Sequence, residues 1–82
     1  MMDPAITAML QDKIATPTGY QPMGSMTAAD LDLVIAYRRQ THDRTGVPWS
    51  DVCQKDVDFF QALADMMRRF DKRTVRDVYT DT

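Results

Sequence analysis

The sequence is poor in the residues that cross-link small proteins or bind metal ions. It has one cysteine and one histidine among 82 residues, so it cannot form an internal disulfide and offers few metal ligands. All 12 acidic residues are Asp, and Glu is absent. Because Glu is the better helix former, helices in this chain must depend on packing more than on intrinsic propensity.

Long apolar runs are also missing. No stretch approaches the ~20 apolar residues that a membrane-spanning helix needs, and the first residues lack the basic and apolar regions of a secretory signal. With a single cysteine, we therefore expect a cytoplasmic location. The net charge of −2 gives no overall drive towards nucleic acids or anionic membranes.

The small size of the chain favours association. A domain of 82 residues buries only ~60–65% of its unfolded surface, so its stability is marginal. Small domains usually gain stability from disulfides, a bound metal or association, and the composition disfavours the first two. We expect one small domain over residues 1–82 that associates with itself or with a larger protein and uses no cofactor.

The longest periodic stretch, residues 50–70, predicts a long amphipathic helix. At ~100° per residue, its apolar side chains form two neighbouring rows. The first row is Cys53, Val57, Phe60, Ala64 and Met67, and the second is Phe59, Leu63, Met66 and Phe70. Together they are wider than the ~100° apolar stripe of an ordinary surface helix. One neighbouring helix cannot cover both rows, so the helix needs a second partner from its own chain or from another molecule.

A second helix is predicted immediately before this one. Thr27 and Asp30 have the spacing of a capping box, and the helix should run from about Ala28 to about His42. Gly46 suits the end of such a helix. Because the connection to residue 50 is short, the two helices should form an antiparallel αα-hairpin, with a last helical turn near Val75.

The N-terminal part predicts a small arm. Asp3 and Pro4 are typical of a helix start, and the helix should cover residues 4–15. Residues 16–26 contain two Pro and two Gly and indicate an extended linker. The predicted fold is therefore all-α, with an N-terminal helical arm (residues 1–15), a linker (16–26) and a helical hairpin core (27–82).

The leading functional hypothesis is a protein–protein interaction module: a structural, adaptor or inhibitor protein without enzymatic activity. Met-rich and aromatic helix faces suit adaptable contact surfaces. The residues expected to bind the partner lie in the second row and on the arm; they are Phe59, Leu63, Met66, Phe70, Ile6, Met9 and Leu10. The size and the arm are also compatible with a phage or mobile-element protein, for which virion association is an alternative location.

A basic cluster near the C-terminus supports an alternative hypothesis, a small helical nucleic-acid-binding regulator. If the central helix continued, its basic residues would share one broad face that could contact phosphates. The cluster consists of Arg68, Arg69, Lys72, Arg73 and Arg76. However, Asp65 and Asp71 interrupt it, and a cationic helix end also simply complements the helix dipole.

An enzymatic site is the third hypothesis. Cys53 could act as a nucleophile with His42 as its base, and His42-Asp43 is the kind of pair that metal-dependent phosphohydrolases use. Those enzymes need further His and Asp ligands, whereas this chain has no other His. Cys53 also falls in an apolar row, where a thiol tends to be inert. We therefore expect no catalytic residues and no bound metal.

Overall fold

The computed structural model describes residues 3–80. Its elements in chain order are helix α1 (Pro4–Gln11), strands β1 (Lys13–Thr16) and β2 (Gly19–Pro22), a 3₁₀ turn (Met23–Ser25), and helices α2 (Ala28–Thr45), α3 (Asp51–Arg69) and α4 (Val75–Thr80). The protein is mostly helical, as predicted. The prediction of a purely all-α fold is wrong, because β1 and β2 form an antiparallel sheet.

Helices α2 and α3 form an antiparallel pair. Asp32, early in α2, pairs with Arg68, late in α3. Further along α2, Arg38 pairs with Asp56, early in α3, at 2.8 Å. This order of partners shows that the two helices run in opposite directions. The Arg38 guanidinium also lies 4.8 Å from the centroid of the Phe60 ring, so it covers one edge of the seam between the helices.

Both long helices begin at residues whose side chains cap them, and for α2 the cap is the one that the sequence indicates. The Thr27 hydroxyl accepts a hydrogen bond from the Asp30 N–H at 3.1 Å, and the Asp30 carboxylate accepts one from the Thr27 N–H at 3.0 Å. Helix α2 ends at Thr45 and is capped, as the sequence indicates, by Gly46, whose φ of 71° is left-handed and favours glycine. Ser50 caps α3 by accepting a hydrogen bond from the Cys53 N–H at 3.2 Å.

The segment predicted as a linker is folded. Strands β1 and β2 pair with Thr16 opposite Gly19, and Gly19 has a φ of 129° that only glycine adopts readily. Pro17 and Gly19 of this segment therefore lie in a tight turn that joins the two strands. The helix predicted over residues 4–15 ends at Gln11, because the residues that follow pair in the sheet.

The N-terminal arm packs against the hairpin and forms part of the core. Leu10 and Met26 are fully buried in the same apolar cluster as Met67. A Cβ added to Gly24 would lie 3.1 Å from the Leu10 carbonyl oxygen, so α1 lies directly against the 3₁₀ turn. The Val75 N–H donates to the Met26 carbonyl at 2.9 Å and joins α4 to this segment. The predicted linker is therefore not a tether.

The first apolar row of α3 lies in the core. Four of its five members are buried, and Cys53, at its N-terminal end, is half-buried. The facing residues on α2 are also those that the sequence indicates, namely Leu31, Val34 and Ile35. The seam of the hairpin thus follows the helical spacing of the sequence.

Candidate protein-docking surface

The second apolar row of α3 points mostly away from the core. Phe59 is 44% exposed, Met66 42% and Phe70 60%, whereas Leu63 is only 3% exposed. Val52, seven residues before Phe59, is 69% exposed and extends the same line. We call Val52, Phe59, Met66 and Phe70 the outer row, with Leu63 as its buried floor.

The outer row is exposed because each element that could cover it packs elsewhere. Helix α2 packs against α3 along the first row, and α1 packs chiefly on the 3₁₀ turn and α4. The N-terminal helix therefore does not cover the second row. Of the three predicted binding residues on the arm, Leu10 is fully buried, and Ile6 and Met9 are half-buried against the core. These arm residues serve the fold and lie apart from the outer row.

The C-terminal end of the outer row has a concave shape. A shallow depression of about 390 Å³ lies between Ala62, Met66 and Phe70, because the small side chain of Ala62 leaves space beside two large ones. The Arg69 guanidinium lies 5.6 Å from the centroid of the Phe70 ring. At the other end, the Phe59 ring meets the Phe60 ring edge-on, with centroids 5.9 Å apart. Contact with a core ring restricts the motion of Phe59 and suits a preorganised contact.

Charge changes sign along α3. Residues 51–60 contain three Asp and one Lys, whereas residues 61–69, up to the end of α3, contain two Arg and one Asp. The outer row therefore runs from an acidic end to a basic end. On the polar side of the helix, Gln54 donates to Asp58 at 2.8 Å and Gln61 donates to Asp65 at 3.1 Å. These bonds, each between residues four apart, hold the polar side chains away from the outer row.

The basic cluster does not form the continuous helical face that a phosphate-binding surface requires. Helix α3 ends at Arg69, and Asp71 turns the chain with a φ of 54° before α4 begins. Arg68 donates to Asp32, and this hydrogen bond raises the pKa of the Arg68 guanidinium. Arg76 lies with its guanidinium beside Gly24. Lys72 and Arg73 lie in the turn between the helices, so the five residues are divided among three elements.

A groove of about 300 Å³ lies between α2 and α3 at the end of the hairpin near their connection, and Val52 of the outer row is one of its lining residues. His42, Trp49 and Cys53 line it, so the two residues of the enzymatic hypothesis do share a groove. However, the Ser50 hydroxyl donates a hydrogen bond to the Cys53 sulphur at 3.3 Å, and this hydrogen bond lowers the pKa of the Cys53 thiol. The His42 ring instead meets the Trp49 ring edge-on at 5.0 Å. The Cys53 sulphur thus accepts its hydrogen bond from Ser50, the residue that caps α3.

Two further structural findings concern the described part of the chain. Within residues 3–80, no three His, Cys or Asp side chains come together in a way that could hold a metal ion. Over the same range, none of the helices combines the length and apolarity needed to cross a bilayer.

Sequence reasoning missed Val52 as a member of the outer row. The signal was present, because Val52, Phe59 and Met66 repeat at intervals of seven residues, which keeps them on one side of a helix that pairs with another. Comparison of the chain with protein-family models, curated proteins and solved structures found no match in any of the three. The functional argument therefore depends on the chemistry of this surface.

Proposed function

We propose that this protein is a non-enzymatic interaction module that docks on another protein chain through the outer row. The observation that supports the proposal most directly is the exposure of four large apolar side chains in one line on a single helix, α3. Scattered exposed apolar residues are normal on a monomer, whereas a contiguous apolar patch with a polar rim is typical of an interaction site. Aromatic and Met side chains are also enriched at the centres of interfaces.

The outer row is suited to binding because the fold does not depend on burying it. The core already contains Phe60 and Met67 from the first row, both at or below 5% exposure. Full burial of a Phe or Met side chain contributes ~1.5–3 kcal/mol. Because Phe59, Met66 and Phe70 are 42–60% exposed, a large part of that contribution is still available to a partner.

Site-specific photo-crosslinking in cells of the native host tests this proposal. A photoreactive phenylalanine replaces Phe70 in the full chain, and the matched control replaces Tyr20, which is 76% exposed on β2. Both positions are aromatic and exposed, so they differ mainly in whether they belong to the outer row. We expect covalent protein adducts from position 70 at several times the yield from position 20. Equal yields, or no adduct at position 70, would contradict the proposed docking surface.

A further inference from the structure

We propose that the occupant of the outer row is α3 of a second copy of this chain, antiparallel to the first and related to it by a two-fold axis that crosses α3 between Leu63 and Met66. This inference builds on the proposed docking function and names its partner. It rests on the symmetry of the apolar spacing and on the charge gradient of α3.

The apolar residues are spaced symmetrically about the midpoint between positions 64 and 65. Phe59 and Phe70 are equally far from that midpoint. Leu63 and Met66 are also equally far from it, but Leu63 is 3% exposed and belongs to the core, so the pair of aromatic residues carries the symmetry. In a two-fold interface, each residue of a pair meets its mate on the other copy. Phe59 would therefore pack against Phe70 of the second copy at both ends of the contact. Spacings of four and three residues are also those with which paired helices interdigitate their side chains.

The charge gradient selects the antiparallel orientation. Within α3, residues 51–60 contain three Asp and one Lys, and residues 61–69 contain two Arg and one Asp. An antiparallel pair places the acidic end of each copy over the basic end of the other. A parallel pair would instead place like charges together, which is unfavourable. Antiparallel helices also align their dipoles favourably. A foreign partner would need a matching gradient, whereas a second copy has one.

Sedimentation velocity of the full chain over a wide concentration range tests the inference. We expect a reversible dimer whose dissociation constant rises about 30-fold or more in Phe70→Ala, as for an interface aromatic that contributes at least ~2 kcal/mol. Tyr20→Ala, on β2, should leave the constant unchanged. Higher salt should weaken the dimer, because it screens the charge pairing. A monomer at every concentration, or a dimer insensitive to Phe70→Ala, would overturn the inference.

Paramagnetic relaxation in mixed dimers tests the orientation. One copy carries a spin label at Lys55→Cys in a Cys53→Ser background, and the other copy is isotopically labelled. Position 55 lies near the N-terminal end of α3, so antiparallel pairing should broaden amide signals of the second copy near the C-terminal end of its α3. Broadening centred on position 55 would indicate parallel pairing and overturn the inference. Crosslinking from position 70 to a foreign protein, with no dimer in sedimentation, would overturn the self-association alone and leave the docking surface supported. The absence of both a crosslink from position 70 and a dimer would overturn both proposals.

Discussion

Asp71 is the residue at which the backbone leaves the helical conformation after α3. Its φ of 54° is left-handed, and the Lys72 N–H donates to the Met67 carbonyl at 2.8 Å. A hydrogen bond between residues five apart in this position is typical of a Schellman helix end. This position usually contains glycine, because a Cβ is unfavourable there. The turn directs α4 towards Met26 and stops the basic residues from continuing one helix.

Asp71→Gly should therefore stabilise the protein. The left-handed conformation costs an ordinary residue ~1–2 kcal/mol, and the greater flexibility of glycine in the unfolded chain offsets part of this gain. We expect the free energy of unfolding, measured by urea denaturation, to rise by roughly 0.5–1 kcal/mol. A decrease would show that the Asp71 side chain contributes more to the turn than its backbone strain costs.

Asp30 should make the stability of the protein sensitive to acid. The hydrogen bond from the Thr27 backbone is the main cause that lowers the pKa of the Asp30 carboxyl group, and a bond from the Gln21 amide at 3.2 Å adds to it. Because the folded pKa lies below the unfolded value of ~3.9, this group stabilises the fold above that value, and the contribution is lost as the pH falls through the folded pKa.

Urea titrations across the acid range measure this effect. Asp30→Asn should lower the free energy of unfolding near neutral pH and reduce its decline below about pH 4. Asp12→Asn, at an exposed position between α1 and β1, is the control. An acid response in Asp30→Asn equal to that of the unmodified chain would exclude Asp30 as the titrating group.

At the scale of elements, the helices were predictable and the strands were not. Helices α2 and α3 have long periodic patterns and capping residues such as Thr27 and Ser50, and these signals are local. The strands have only four residues each, which is too short for an alternating pattern to be distinguished from a linker. The Pro and Gly that indicated a linker are equally typical of a tight turn.

The candidate surface was partly predictable for a related reason. Helical spacing placed Phe59, Met66 and Phe70 together on the side of α3 next to the core row. Spacing alone cannot say which row a neighbouring helix will cover, and it gave no reason to separate Leu63, which is buried, from the other members. The burial of Leu10 depends on Gly24 and Met26 folding back on α1, a contact that no local pattern encodes.

Leu10→Ala tests whether the N-terminal segment is part of the core. Leu10 is fully buried, and removing a buried Leu side chain costs ~2–5 kcal/mol. We expect a loss in this range by urea denaturation, whereas Tyr20→Ala, at an exposed site in the sheet, should change stability much less. No loss in Leu10→Ala would restore the picture of a loosely tethered arm.

At the scale of the whole molecule, the N-terminal segment folds onto the helical hairpin and enlarges the apolar core of a small chain. Leu10, Met23 and Met26 complete a core that α2 and α3 alone would leave open at one end. That closure does not extend to the outer row of α3, which remains exposed. The molecule therefore has one apolar row on α3 that supports its fold and a neighbouring row that is available for binding.

Comparison of Phe60→Ala with Phe70→Ala tests this division most directly. The two residues lie on neighbouring rows of the same helix, but Phe60 is 5% exposed and Phe70 is 60% exposed. Urea denaturation and sedimentation velocity are measured on both variants. We expect Phe60→Ala to lose ~3–5 kcal/mol of stability, a large part of the ~5–15 kcal/mol typical of a domain. Phe70→Ala should lose less than about 1 kcal/mol of stability and still raise the dissociation constant of the dimer about 30-fold or more. Equal losses of stability, with association following only the folded fraction, would contradict the account.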